Sequence, residues 1–327
     1  MIVTVTLNPS LDRTIEIPSL DRGQVLRAGH AHVEPGGKGV NVSRALLANG
    51  VDSLAVLPCG GDEGPQLVRL LRTEGVPLRT VPIGGHTRSN VTLVEPDGTV
   101  TKINEPGPVL TDQEFDAVIT LLLDAARAAE WVVVCGSLPP GVPPEAFSEL
   151  CGRLVATGVS VAVDTSGEGL RDAALAGVAL VKPNREELAE VVGAALPTYP
   201  DVVAAARQLH AWGAGAVLAS LGADGAVLVD GDGVVSGDSP VVRPRSTVGA
   251  GDALLAGFLA ASTRGADPRG ASKRGASTRG DVAGGADALA EALSWGAAAV
   301  SLPGSRMPGP DDLRQHQAHI HPLLAQG

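Results

Sequence analysis

The sequence predicts an α/β protein: a doubly wound, mainly parallel sheet flanked by helices, with a small β-sheet standing off it as a lid. Three observations carry this. Apolar runs recur at Met1 to Leu7, Ser53 to Pro58, Trp131 to Cys135, Val161 to Asp164 and Val178 to Lys182, alternating with amphipathic helical segments, as in a sheet buried on both faces. A second set of short strands, Arg13 to Ile17, Gln24 to Val33 and Asn90 to Asn104, is of a different kind, and Asp97-Gly98 marks a hairpin turn in the last. The 327 residues are 44% hydrophobic, with 42 glycines and one tyrosine, so Val, Leu and Ala must build the core. Residues 1–327 read as one domain, with lid strands from about 10–35 and 86–106.

In chain order, the first strand leads to Asn8-Pro9-Ser10 and not to G-x-G-x-x-G, which disfavours a dinucleotide-binding dehydrogenase. Glu34 to Leu47 is a glycine-rich loop opening a helix. Gly36, Gly37 and Gly39 allow close backbone approach, while Lys38 and Asn41 offer a charge and an amide. The loop is not a Walker A motif, because Gly39 and not Ser or Thr follows Lys38; an ordinary glycine turn fits the same residues. Gly64 to Glu74 reads as a helix, and Thr111-Asp112-Gln113-Glu114 as a capping box opening a helix to about Ala129. After Trp131 to Cys135 comes Gly136-Ser137-Leu138-Pro139-Pro140-Gly141. Lys182 to Leu188 follows a strand and opens a helix. Asn184 with Glu187 is a capping box by pattern, and the adjacent carboxylates Glu186 and Glu187 also suit water on Mg²⁺. Ser220 to Ala226 links two apolar strands through glycines that a plain turn would also use. In a doubly wound sheet, function belongs at the carboxyl ends of such strands.

Thr247 to Phe258 is the most informative stretch. Gly249, Ala250 and Gly251 form a tight loop before an apolar helix, whose first N–H groups lack intrahelical acceptors and so bind anions. A carboxylate there, Asp252, would repel phosphate, so it is expected to meet a group with a proton to lose: a general base beside an anion hole. Acidic residues are also common in first turns for their own sake.

A net charge of −11 argues against nucleic acid or anionic membrane as partner. Three cysteines, Cys59, Cys135 and Cys151, without C-x-x-C spacing fit a reducing cytosol and no structural zinc. No apolar stretch is long enough to span a membrane and the chain starts directly on a strand, so a soluble, cytoplasmic protein is expected. Between Ser262 and Gly280 the repeated Ala-Ser-Thr-Arg-Gly-like units predict a flexible insert, about 262–281. His316, His319 and His321 near the end are expected on a frayed, exposed tail.

Five motifs in order, Leu7-Asn8-Pro9-Ser10-Leu11-Asp12, Pro35-Gly36-Gly37-Lys38-Gly39-Val40-Asn41, Gly136 to Gly141, Lys182 to Glu187 and Thr247 to Asp252, resemble the PfkB branch of the ribokinase-like carbohydrate kinases. The opening Asn-Pro and the lysine of the Gly-Gly-Lys-Gly loop most resemble the 1-phosphofructokinase and tagatose-6-phosphate kinase subgroup. The resemblance implies a ribokinase-like fold and an ATP- and Mg²⁺-dependent kinase acting on a phosphosugar. It implies that Asp252 takes the proton of the acceptor hydroxyl while Gly249, Ala250 and Gly251 stabilise the transferring phosphoryl group. By the same likeness Asp12, Gly36, Gly37 and Asn41 hold the sugar, and Arg27, Lys38, Arg88 and Ser137 hold its phosphate. Lys182, Asn184, Ser220, Gly222 and Gly225 then lie along ATP, Glu187 serves Mg²⁺, and Ala297 to Ala299 lie by the adenine; Lys102 and Glu105 are fainter matches. Fructose 1-phosphate is the expected substrate, with tagatose 6-phosphate or fructose 6-phosphate as alternatives and, from another class, a non-catalytic phosphosugar sensor. An exposed lid sheet makes a homodimer through it the expected assembly.

Overall fold

The computed structural model describes residues 1–264 and 284–322. Among these, ten strands form one sheet in the order β14 (His319–Pro322), β13 (Gly233–Asp238), β12 (Ala226–Asp230), β11 (Ala216–Ser220), β10 (Leu180–Val181), β9 (Ser160–Asp164), β8 (Trp131–Cys135), β1 (Ile2–Thr6), β4 (Ser53–Cys59) and β5 (Leu78–Pro82). The seven from β11 to β5 pair in parallel and the last three antiparallel. The five apolar runs therefore become β1, β4, β8, β9 and β10, although the last is only two residues long.

Alternation along each strand feeds two cores. Val132 and Val134 of β8 face one layer, with α3 (Asp112–Ala126), α4 (Pro144–Ala156), α5 (Glu168–Leu175), α6 (Arg185–Val192) and α7 (Tyr199–Trp212). Trp131, Val133 and Cys135 face the other, with α1 (Lys38–Ala48), α8 (Ala250–Arg264) and α9 (Gly285–Val300). A smaller cluster packs Leu67 and Leu71 of α2 (Glu63–Thr73) on Ala55 and Leu57. Helix α8 is buried at every residue from Asp252 to Ala260. Gly257 lets α9 approach, since a Cβ there would lie 2.8 Å from Trp295 and 3.0 Å from the Glu291 carbonyl. A short α10 (Pro310–Leu313) precedes β14.

The second sheet has the order β3 (His30–Gly36), β2 (Ser10–Glu16), β6 (Arg88–Val94) and β7 (Val100–Asn104). The expected hairpin is present, with Asn90 opposite Asn104 and the Asp97 carboxylate accepting the Thr99 N–H at 2.9 Å. The β2–β6 pairing is parallel, so this sheet is mixed.

Three expectations are corrected. Gln24 to Val33 is not one strand: β2 offers only seven residues, which pair with His30 to Gly36, leaving Gln24 to Gly29 outside the ladder and Val25 84% exposed. The tail is not frayed at His319 and His321, because β14 pairs with β13 and both imidazoles approach Asp238, at 3.4 and 2.8 Å. Of the predicted insert, Ser262 to Arg264 complete α8; the rest lies outside the described residues.

Candidate active site

The parallel strands end on a line of polar groups, and two clusters gather there. In the first, Asp252 stands in the first turn of α8, 8% exposed, and its Oδ2 accepts a 2.8 Å bond from Asn41 Nδ2 on α1. Burial, then the negative charge of Asp164, push its carboxyl up to about 6, against the opposing pull of Asn41, Lys182 and Lys38. A carboxylate so poised is basic enough to take a proton yet mostly ionised at neutral pH. At the start of α8 the Ala250 N–H makes only a 3.4 Å bond to the Thr247 carbonyl, and those of Gly251 and Asp252 have no main-chain acceptor among the described residues. Gly249 turns the loop at φ 76°, where a Cβ would also strike Met307 Cε at 2.6 Å.

Asp164, at the end of β9, is wholly buried between two ammonium groups: Lys38 Nζ at 2.7 Å and Lys182 Nζ at 3.0 Å. Lys182 is itself nearly inaccessible and abuts the anion loop, 3.5 Å from where a Cβ on Gly251 would stand. Lys38 also donates to Glu187 Oε1 at 3.0 Å. Burial alone would lower the Lys38 pKa, but Asp164 and Glu187 together raise it above the ordinary lysine value, so the ammonium is permanent. Glu187 Oε2 accepts the Asn184 N–H while Asn184 Oδ1 accepts the Glu187 N–H, so the capping box forms. Both Glu187 oxygens thus have protein partners, and among the described residues no group of three or more His, Cys, Asp or Glu is arranged to hold a metal ion. In this arrangement Glu187 is engaged by Lys38 and by its own helix cap.

The second cluster lies between the sheets. Arg88, at the head of β6, donates to the carbonyls of Asn8 (2.9 Å) and Glu105 (3.2 Å), and its buried Nε has no partner among the described residues. Burial lowers its pKa, opposed by Asp12 and Glu105. Asn8 also reaches Ser137 Oγ at 3.4 Å, so Arg88 and Ser137 meet around one asparagine. A cleft of about 450 Å³ lined by His86, Arg88, Glu105, Gly107 and Val109 opens beside them. Asp12 Oδ1 accepts from Ser10 Oγ (2.7 Å) and Asn90 Nδ2 (2.9 Å) across β2 and β6. A Cβ on Gly36 would lie 2.4 Å from the Asp12 carboxylate, so any larger residue there would displace Asp12 from this position. Gly37 has φ 117°, and its Cβ would meet Thr6 Cγ2 at 2.7 Å.

The structure separates some residues that the resemblance grouped. Arg27 is exposed on the β2–β3 loop with no ion pair among the described residues, and Lys38 is committed to Asp164 and Glu187, so neither is poised for an anion as Arg88 is. Lys102 is exposed on β7. Asn184 and Ser220 are neighbours through a parallel bridge, with the turn Gly222 to Gly225 following. A Cβ at Gly225 would lie 2.0 Å from the Gly237 carbonyl. Ala298 and Ala299 face the core of α9. Asp164, Asn8 and Asn90 were not singled out from sequence. For Asp164 a signal existed, a carboxylate ending an apolar parallel strand; Asn8 and Asn90 carry none beyond their place in a motif and a hairpin.

The model of the pfkB family of carbohydrate kinases matches residues 5–278. The chain is 39% identical to the 1-phosphofructokinase of Rhodobacter capsulatus, over 81% of this chain and 84% of that one. It is 38% identical to the ATP-dependent 6-phosphofructokinase isozyme 2 of Escherichia coli K12, over 78% and 83%. It is also similar to the crystal structure of phosphofructokinase-2 from Escherichia coli in complex with potassium, at TM-score 0.86 and 33% identity, covering 96% of this chain and 97% of that one.

Proposed function

The chain belongs to the pfkB family of carbohydrate kinases, and from that premise we propose that it transfers the terminal phosphoryl group of ATP to fructose 1-phosphate, giving fructose 1,6-bisphosphate. The observation that carries the phosphosugar reading is Arg88. Its guanidinium donates to two main-chain carbonyls and makes no ion pair among the described residues, although the charges of Asp12 and Glu105 act on it from farther off, so it is open to a direct bond with an anion, with Ser137 attached through Asn8. Asp12, Asn90 and Asn41 supply hydrogen-bonding groups for sugar hydroxyls.

Asp252 takes the proton of the acceptor hydroxyl, with Asn41 fixing its carboxylate. The free N–H groups opening α8 and the Lys182 ammonium offset charge on the phosphoryl group in transit. Positioning and electrostatics of this kind are most of what phosphoryl transfer requires. Asn184, Ser220, Gly222 and Gly225 line the nucleotide side. Mg²⁺ supplies charge neutralisation on the ATP phosphates when bound. A passive phosphosugar sensor has no use for a buried carboxylate beside free N–H groups. Exposed Val100 and Ile103 on β7 favour a homodimer through the small sheet.

Fructose 6-phosphate is the second candidate, because a named 6-phosphofructokinase is almost as similar as a named 1-phosphofructokinase. Coupled assays on fructose 1-phosphate, fructose 6-phosphate, tagatose 6-phosphate, fructose and ribose decide: the highest kcat/KM is expected for fructose 1-phosphate. Efficient turnover of an unphosphorylated sugar would overturn the reading.

A further inference from the structure

Two carboxylates from successive parallel-strand ends, Asp164 at the end of β9 and Glu187 in the first turn of α6 after β10, aim oxygens at one point. Paired oxygen donors of this kind are what a hard divalent cation takes from a protein. Here that point is filled by the Lys38 ammonium, 2.7 Å from Asp164 Oδ1 and 3.0 Å from Glu187 Oε1. Asp164 presents its other oxygen to Lys182. Lys38 and Lys182 thus already offset the charges of Asp164 and Glu187, which leaves these two carboxylates little to gain from a divalent ion. Mg²⁺ also binds oxygen at about 2.0–2.1 Å, so it cannot enter between these oxygens while Lys38 stays.

We propose that Lys38 is a built-in cation: it fills, between Asp164 and Glu187, the position of a protein-bound divalent ion, so that the nucleotide-free chain holds no metal there. The inference goes beyond the kinase reading and does not rest on it. The Lys38 ammonium is covalently tethered to the chain and cannot dissociate as a bound metal can.

Mn²⁺ binding to the nucleotide-free full chain, followed by electron paramagnetic resonance, tests this without any substrate. The expected result is that Lys38→Ala gains one equivalent of bound Mn²⁺, that Lys38→Ala/Glu187→Gln loses it again, and that the unsubstituted chain binds at least about tenfold more weakly than Lys38→Ala. Equal binding by the unsubstituted chain and Lys38→Ala, or a gain that survives Glu187→Gln, would overturn the proposal. Should Lys38→Ala fail to fold, the unsubstituted chain answers through its side-chain ammonium NMR signals, which are few because the sequence has only four lysines. The Lys38 signal is expected to stay in place as Mg²⁺ is added; its displacement refutes the inference. A chain that phosphorylated no sugar at all would leave both measurements as they are.

Discussion

Asn41 Nδ2 and Asp252 Oδ2, 211 positions apart in the chain, lie 2.8 Å apart where the N-terminal halves of α1 and α8 meet. One amide hydrogen bond holds the buried carboxylate in a fixed direction, and Arg44 braces the amide from its other side at 3.4 Å. If Asp252 is the base, Asp252→Asn lowers kcat by roughly 10²–10⁴ and leaves KM for sugar and ATP nearly unchanged. Steady-state kinetics check this, and a variant with near-normal kcat removes Asp252 from the role.

The same carboxyl sets the acid limb of activity. Its pKa is raised to about 6, and only the ionised form accepts a proton, so kcat/KM is expected to fall as pH drops through about 6 and to be flat just above it. Asp164→Asn removes the negative charge that helps raise that pKa, so the limb moves to lower pH. A limb that stays put in Asp164→Asn contradicts the electrostatic coupling.

Stability follows with the opposite sign. A carboxyl whose folded pKa lies above its unfolded value favours the folded state at low pH, and that contribution is lost as pH rises through about 6. Asp252→Asn therefore raises Tm at pH 8 more than at pH 5, while crippling turnover. Thermal melts at the two pH values decide it; a lower Tm at pH 8 would be the contrary result.

Lys182 is 4% exposed, with Asp164 as its ion partner. Neutralising that partner leaves an uncompensated buried charge, so Asp164→Asn is expected to destabilise the chain by about 3–5 kcal/mol. Urea unfolding reads this directly, and an unchanged midpoint shows that Lys182 finds another partner or solvent.

Arg88 offers the sharpest test of the substrate. Loss of charge-assisted bonds to a phosphate costs about 1.5–3 kcal/mol, so Arg88→Ala raises KM for the sugar phosphate by roughly 10–100-fold and that for ATP by much less. Equal rises in both, or none, would mean that the cleft beside Arg88 does not receive the sugar's phosphate.

The sequence alone determined whatever depends on local pattern. Continuous apolar runs gave β1, β4 and β8 because a strand buried on both faces has no polar side to show. Thr111 with Glu114 and Asn184 with Glu187 gave helix starts because a capping box closes within four residues. The Gly249 to Asp252 loop showed an anion site with a base because orphan N–H groups and a carboxylate are adjacent in the chain. Only the tertiary structure decided which distant charges share a site. Lys38 and Arg88 read alike as cations near glycines or on a lid strand, yet folding delivers one to Asp164 and Glu187 and the other to the carbonyls of Asn8 and Glu105. Asp164 read as the end of a strand until β9 placed it between two lysines. Such partnerships depend on strand order and on the reach of individual side chains, which act at distances of about 3 Å between residues more than a hundred positions apart, and no local pattern encodes that.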